Sequence, residues 1–598
     1  DTQILDWIDD DNYSALLSRL QAAGYGDDGW SYQAPPQYRD PWMPDLANLQ
    51  QGAAAFDEYG LALDGSWWVA FSYKPLPSTF WPHNGSTDDV MIRLPPEFWK
   101  LSNGQDSVDL YRANLALVEA NIKSQTTMGS LPINEQAIGI DVNNDGQLDT
   151  VVNEVHIETN QMIHPVNGPT NYYLGQAGDD VNADAKWSMR PTIYPVGTEF
   201  LHSVRYVGVD AQGNISNATR MKELRYMRRT LSSSYGQLWS NYLAEQQDKD
   251  EGLLPIFNDH EHNGLAKGTF GWDVVGFIED WEGKLRLNTF EENAFCMGCH
   301  GVLGSTIDKT FSFPRKQDGA AGWGYISLRG MPDVPNIGET ASEVETYMNR
   351  VGGGSEFRSN PELEAKFYLA DGETVNTVAL ASAKDVYDLI TPSRERALML
   401  NKAYKVITED QDFIFGRDAT VTPPPRVYES VTNDTSTLEP EHQYDWDIRL
   451  DWSQAPSEGE CMYTGDVSFA GLDGGHMMTL AGTSEEQYDQ VCAGGNVVMA
   501  GVLSVQLEPG YTPQAGDRFE IIRADSLTGS FSSVVLPTSP GLTFTTEQVG
   551  DSFFVVAASS SGGGTDTIDE DIPIPFAWLV VQFLLMMGTG YWFVQKRR

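Results

Sequence analysis

Phe295–Gly301 reads FCMGCHG. Two thiols one turn apart, followed at once by an imidazole, form the pattern that attaches haem covalently. The two sulfurs add across the two vinyl groups of one porphyrin, and the adjacent histidine is held beneath the ring on the iron. Cys296, Cys299 and His300 are therefore the candidate haem c residues. Two other chemistries use part of this pattern. A redox dithiol does not need His300 and comes with a βαβ context that is missing here. A structural zinc site needs a second ligand pair, and the chain has no other Cys-x-x-Cys.

The sixth iron ligand decides what such a haem does. LRGMPDVP offers Met331, a methionine followed by proline downstream of the motif, and FNDHEHNG offers His260 and His262 upstream. A Met or His on the distal side suits electron transfer, and an open position admits a small oxidant such as peroxide. The rival reading for Met331 is a core or loop methionine; for the histidines it is a surface loop. His156, His164 and His202 stand in strand-like contexts and are weaker candidates. Aromatics and glycines crowd the residues around the motif, which suits close approach to a flat group. Arg286, Arg315 and Lys316 are either partners for the haem propionates or ordinary surface cations.

A second site is DVNNDGQLD. Asp141, Asn143, Asp145, Gly146 and Asp149 occupy positions 1, 3, 5, 6 and 9 of a calcium loop, with Gln147 supplying a carbonyl. Position 12 is Val152 instead of the bidentate Glu of an EF-hand, so the expectation is a shorter structural loop, completed by Glu154, that binds Ca2+. The same composition also makes a plain Asp/Asn/Gly turn.

The elements that must position these residues are mixed. Helical patterns occur at VDLYRANLALVEANIKSQ, MKELRYMRRTLSSSYGQLWSNYLAEQQ and SRERALMLNKAYKVI. Strand patterns occur at SWWVAFSYKP, DVMIRLP and GTEFLHSVRYVGVD. From about residue 446 to 558, short alternating runs split by Gly, Pro and Asp read as an all-β sandwich or roll, and Cys461 and Cys492 are placed to staple it by a disulfide. No internal repeat is evident. Phe576–Val594 is an uncharged apolar run followed by QKRR. That reads as a single C-terminal transmembrane helix with a cytoplasmic end, since about 20 apolar residues span a bilayer.

The expected fold class is α+β. A mixed N-terminal region at 1–250 carries the calcium loop, and a haem-binding region spans 251–420. A Pro-rich linker follows at 421–445, then the β domain at 446–558. A Gly/Ser and acidic tether at 559–575 leads to the span at 576–598. The 39 basic against 84 acidic residues give a net charge of −45. Without a surplus of cations to displace counterions, nucleic acid is excluded as a partner. No Gly-x-Ser-x-Gly, His-Glu-x-x-His or P-loop is present.

The Cys-x-x-Cys-His motif resembles that of the c-type cytochromes. The string from GVLSVQLEPGY to GSFSSVVLP and the IPIP-plus-helix tail resemble the β modules and sorting tails of exported bacterial surface proteins. These resemblances imply an exported protein, periplasmic or at the cell surface, held in the membrane by its C-terminal helix and passing electrons through one haem to an unidentified redox partner protein. Peroxide reduction and a surface or adhesion protein with a structural haem are the alternatives. The resemblance leans away from an enzyme, since the second haem motif of the two-haem bacterial peroxidases is missing.

Overall fold

The computed structural model describes residues 32–33, 43–157, 173–251, 266–288, 306–352, 360–409 and 449–560, apart from short gaps inside these ranges. Among the described residues ten strands precede residue 290: β1 (Tyr32–Gln33), β2 (Val69–Phe71), β3 (Ser86–Arg93), β4 (Thr127–Ile133), β5 (Val152–His156), β6 (Glu199–Val209), β7 (Ile215–Arg229), β8 (Ala266–Lys267), β9 (Trp272–Glu279) and β10 (Leu285–Leu287). Eight of them form one sheet in the order β1-β10-β9-β7-β6-β3-β2, with β8 also on β9. β4 and β5 pair separately as an antiparallel ribbon. The long β6–β7 hairpin is the spine of the sheet. Its turn is closed by Asp210, whose carboxylate accepts the Asn214 N–H at 2.8 Å, and by Gly213 at φ +88°.

Met221–Arg229 belongs to β7 and not to the helix that its spacing predicts. Leu224 and Tyr226 enter the core on one face of the sheet and Met227 enters the core on the other. Pairing with β6 on one side and β9 on the other satisfies the backbone of this segment, and that tertiary pairing overrides helix propensity. The helix begins only at Tyr235.

Helix α1 (Val108–Lys123) fills the core on one sheet face. Ser107 caps it by accepting the Leu110 N–H at 3.2 Å, Asp109 suits the positive end of the helix dipole, and Leu110, Leu117 and Ile122 are buried against Val90, Ile92 and Phe200. Leu46, Leu49, Phe56 and Trp68 cover the opposite face. The remaining helices used below are α2 (Glu135–Ile138), α3 (Tyr235–Asp250), α4 (Ser312–Arg315), α5 (Glu343–Val351), α6 (Pro361–Phe367), α7 (Thr377–Ala381), α8 (Val386–Ile390) and α9 (Arg394–Glu409). α9 lays Ala397, Leu398 and Tyr404 on Tyr206 and Val207 of β6.

The C-terminal part coils. Strands β11 (Val467–Ser468), β13 (Val491–Met499) and β15 (Arg518–Gly529) pair in parallel in one sheet. β12 (His476–Leu480), β14 (Val502–Leu507) and β16 (Ser533–Val535) pair in parallel in a second. The antiparallel hairpin β17 (Leu542–Val549) and β18 (Ser552–Ser559) closes the first sheet against β15. Val467, Val497 and Leu527 stand in register one above another, so each coil adds an equal length of chain. The disulfide Cys461–Cys492, with 5.1 Å between Cα atoms, clips the chain before the first coil to the second. One core runs from Met331, Val344, Phe367 and Leu389 into Val467, Val497, Leu503 and Ile522, so the α5–α8 segment and the roll share an interior across residues 421–445.

Four charges at the boundary between the two large cores are buried together. Arg315 donates to both oxygens of Glu343 at 2.8 Å and to the carbonyls of Lys74 and Pro75 at 2.9 Å. Lys74 reaches Glu343 at 2.9 Å and also pairs with Asp333, whose carboxylate accepts the Val344 N–H at 3.3 Å. Phe313 beside Arg315 belongs to the α1 core, and Val344 beside Glu343 to the roll core.

The expected fold class needs correcting. The described residues are strand-rich, 32% strand against 25% helix, and divide into several sheets, so an α+β fold ending in a transmembrane helix does not describe them. No helix among the described residues is long and apolar enough to cross a membrane. Phe576–Val594, where that span was expected, lies outside them.

Burial alone would raise the Glu343 carboxyl, but Arg315 and Lys74 outweigh it and hold the group below its ordinary 4.5. A depressed folded-state pKa makes this stability complete above about pH 4.5 and lost as the pH falls from there through the folded value. Glu343→Gln leaves two buried cations short of a counter-charge. It is expected to cost about 3–5 kcal/mol in urea unfolding at pH 7 and to flatten the acid limb of the stability curve. An unchanged midpoint and acid limb would contradict this account.

Candidate functional site

The haem motif falls in residues 289–305, so Cys296, Cys299 and His300 lie outside the described residues, as do His260, His262 and His164. The structure describes the chain on either side of the motif. On the N-terminal side β10 pairs with β9, and the Asn288 N–H donates to the Gly276 carbonyl at 2.8 Å. On the C-terminal side Asp308 is a fully buried knot. Its Oδ2 accepts from Arg229 Nη1 at 2.7 Å and from the Tyr194 N–H at 3.0 Å, and its Oδ1 accepts from the Thr306 hydroxyl at 2.6 Å. Its backbone carbonyl accepts the Trp272 indole N–H at 2.8 Å. Burial pushes the Asp308 carboxyl up, against the pull of Arg229. Both ends of the segment are thus fixed to the end of β7 and to β9.

Met331 is described, and it is a core residue. It is 1% exposed and packs in the second core, which also holds Val334, Val344 and Met348, while its carbonyl accepts the Val386 N–H at 2.9 Å. Arg315 and Lys316 are not surface cations. Arg315 is committed to Glu343, and Lys316 is buried at 2.9 Å from Glu119 and 4.3 Å from the Trp323 ring centre. Burial pushes the Lys316 ammonium down to about 8. Arg286 sits on β10 and donates to the Leu287 carbonyl at 3.2 Å.

The Asp141–Asp149 loop is closed by its own side chains. Asp141 accepts the Gly146 N–H at 2.8 Å and the Asp145 N–H at 3.2 Å, Asn143 accepts the Asp145 N–H at 3.2 Å, and Asp145 accepts the Gln147 N–H at 2.8 Å. Behind it stands Glu135 of α2, fully buried. Its two oxygens accept the Val142 N–H at 2.7 Å and the Asp149 N–H at 2.9 Å, while its own N–H donates to the Asp149 carbonyl at 3.0 Å. Glu154 lies beyond the loop on β5, where it pairs in register with Gly129. Among the described residues no group of three His, Cys, Asp or Glu side chains stands close enough to hold a metal.

Sequence reasoning missed a polar cluster on β3. Asp88 receives the Tyr73 hydroxyl and lies 3.1 Å from Nε2 of His202, all three buried. Its neighbour Asp89 points to the other sheet face and pairs with Arg205 at 2.8 Å, with Ser203 and Tyr325 also bonded to it. Burial raises the Asp88 carboxyl in spite of His202. Thr87 and Asp88 lie at the rim of a cavity of about 370 Å³, shared with Phe80, Asn217, Tyr325 and Arg329. The sequence signals were His202, a weaker ligand candidate that here meets Asp88, and two adjacent acids inside the strand STDDVMIR, which on opposite sheet faces must each find a partner. The Tyr73 hydroxyl and the His202 imidazole meet the same Asp88 oxygen, so the cluster orients Asp88.

Comparison with known proteins overturns the cytochrome resemblance. A relative, an uncharacterized lipoprotein of Aquifex aeolicus (strain VF5), is 28% identical over 462 residues, covering 70% of this chain and 71% of the relative. The family whose model matches is a lipoprotein family, and no cytochrome c family is indicated. Attachment to the membrane by a C-terminal helix is corrected with it, because a lipoprotein family points to a lipid anchor on the N-terminal side. The match takes in residues 48–386, more than half of the sequence, and the chain belongs to this lipoprotein family.

Proposed function

We propose that the chain is a lipid-anchored, exported protein that carries one haem, attached through Cys296 and Cys299 with His300 on the iron, and moves electrons at the periplasmic or cell surface. The observation that carries this reading is the Cys-x-x-Cys-His sequence, hung between two anchored points of the main sheet. Two further facts support it. A lipoprotein family implies export, and thioether attachment of haem takes place outside the cytoplasm. The Cys461–Cys492 disulfide also belongs to an oxidising compartment. Packing of Met331 in the core favours His260 or His262 over Met331 as the sixth ligand. When bound, the haem supplies a one-electron redox centre. The chain's part is to fix its position, exclude water and set the axial ligands.

The first test is export of the chain in a host competent for haem attachment. One covalent haem per chain is expected, absent from the Cys296→Ser/Cys299→Ser variant. The ferrous form should be low-spin and should ignore carbon monoxide. His260→Ala/His262→Ala should turn it high-spin, and Met331→Leu should not. No covalent haem in the wild type sinks the reading. A high-spin haem that takes up carbon monoxide moves peroxide reduction to the front.

Asp308→Ala should cost about 3–5 kcal/mol in chemical denaturation, because it strips a buried guanidinium of its counter-charge. Haem incorporation should fall in step if this knot holds the segment. Normal haem yield in a destabilised variant would show that the knot serves the fold alone.

Calcium at Asp141, Asn143, Asp145, Gln147 and Asp149 is the second part of the proposal, supported by the alternating oxygen donors and the turn at Gly146. Millimolar calcium over chelator should raise the melting temperature by a few degrees in the wild type and not in Asp141→Ala/Asp145→Ala. Equal melting in both conditions removes calcium from the account.

A further inference from the structure

Helix α3 carries apolar side chains on two sides. Leu238 and Tyr242 point inward and pack with Ile193 and Phe270. Leu231, just before the helix, is 60% exposed, Tyr235 is 41%, Trp239 is 61% and Leu243 is 51%. Tyr235, Trp239 and Leu243 follow one another at intervals of four residues, so on α3 they form a single stripe, and Leu231 is exposed on the chain just before it. Ser234 caps the start by accepting the Gln237 N–H at 3.2 Å, which fixes the stripe from its first turn. Among the described residues Trp239 is the one tryptophan that is largely exposed. The other exposed large apolar residues are scattered singly or in pairs.

The surroundings of the stripe are unusual for this chain. Between Leu231 and Gln247 the exposed residues are Leu, Ser, Tyr, Gly, Gln, Trp, Ala and nothing charged. Glu245 is turned inward, 3.0 Å from Lys309. In a protein of net charge −45 an uncharged exposed face of this length requires an explanation.

We propose that the α3 stripe docks on the surface of a lipid bilayer. Tyrosine and tryptophan have an apolar body and a polar tip, and they concentrate where hydrocarbon meets headgroups. The lack of cations separates this face from the basic helices that seek anionic lipid, so burial and not charge drives the contact. The family of the chain places it at a membrane. A chain already held there meets the surface at high effective concentration, so a small contact suffices. The four side chains expose about 400–500 Å² together, well short of the roughly 800 Å² per partner of a stable protein interface, which disfavours a second copy as the occupant. This inference rests on the lipid-anchored part of the proposed function and is independent of the haem.

The test is hydrogen exchange of the full chain, alone and with an excess of phosphatidylcholine vesicles, at 50 mM and 500 mM salt. Peptides from 231 to 247 should exchange at least threefold more slowly with vesicles, to the same degree at both salts. Leu231→Ser/Trp239→Ser/Leu243→Ser should abolish the slowing, and Trp239→Ser alone should reduce it. An unchanged melting temperature verifies that both variants are folded. Several outcomes overturn the proposal: no slowing in the wild type, slowing that persists in the triple variant, slowing that needs anionic lipid and disappears in salt, or slowing that tracks protein concentration without vesicles and so reports self-association. Acylation of the exported chain is read separately by mass spectrometry, so failure of the lipid anchor and failure of the stripe are distinguishable.

Discussion

Glu343 and Arg315 hold the two large cores in contact, and most of the architecture depends on that contact. The sheet with α1 on its face is one interior, and helices α5–α8 with the roll are another. Between them four charges are removed from water, which is costly unless each finds a partner of good geometry. The fork of Arg315 on both oxygens of Glu343, with Lys74 and Asp333 completing the set, meets that condition. An apolar contact would tolerate sliding of one core over the other. A buried bidentate pair does not, so the junction fixes the relative position of the two units.

The same device recurs. Arg205 meets Asp89, Arg229 meets Asp308, and Lys316 meets Glu119, all buried. The chain has 39 basic side chains to set against 84 acids, and it spends several of them inside. Each of these cations is matched by a buried acid, so the pairs leave the net negative charge on the surface. Such a surface repels nucleic acid and anionic lipid, and it leaves an uncharged face such as that of α3 as the kind of surface able to approach a bilayer.

How much of this the sequence revealed follows from the range of each interaction. Helix α1 was legible because its cap, its acidic first turn and its apolar spacing are all local. The strands around Val69–Phe71 and Ser86–Arg93 showed through their β-branched and aromatic runs. Met221–Arg229 misled, because a methionine, leucine and methionine at spacings of three match a helix, while the deciding factor is two neighbouring strands contributed from elsewhere in the chain. The coils of the roll were hidden because register, and not residue identity, repeats: valine lies over valine and then over leucine. Lys74 and Asp333 are 259 residues apart, a pairing no local pattern announces. At the site, the thiol–imidazole motif and the Asp/Asn/Gly loop were legible by type and spacing. The fixing of Thr306–Thr310 by Asp308 and the backing of the loop by Glu135 were not, because Asp308 meets Arg229 and the Tyr194 N–H, 79 and 114 residues away, and Glu135 meets the N–H groups of Val142 and Asp149 across the loop.

The shared interior changes how the roll is understood. By sequence it looks like a spacer joined through a proline-rich stretch. In the structure Phe367, Val378 and Leu389 pack in the same core as Val467, Val497 and Leu503, and the Ser468 N–H donates to the Thr377 hydroxyl at 3.3 Å. The family match reaches residue 386, within the helices that bear this core. The roll therefore covers apolar surface that belongs to the family's own unit. It braces α5, on which Glu343 sits, and through Glu343 and Arg315 it braces α4, whose Arg315 lies five residues beyond the knot at Thr306–Thr310. The roll is mechanically coupled to the knot at Thr306–Thr310 by packing and buried charge, and that coupling makes the extra mass part of the scaffold and not a passenger.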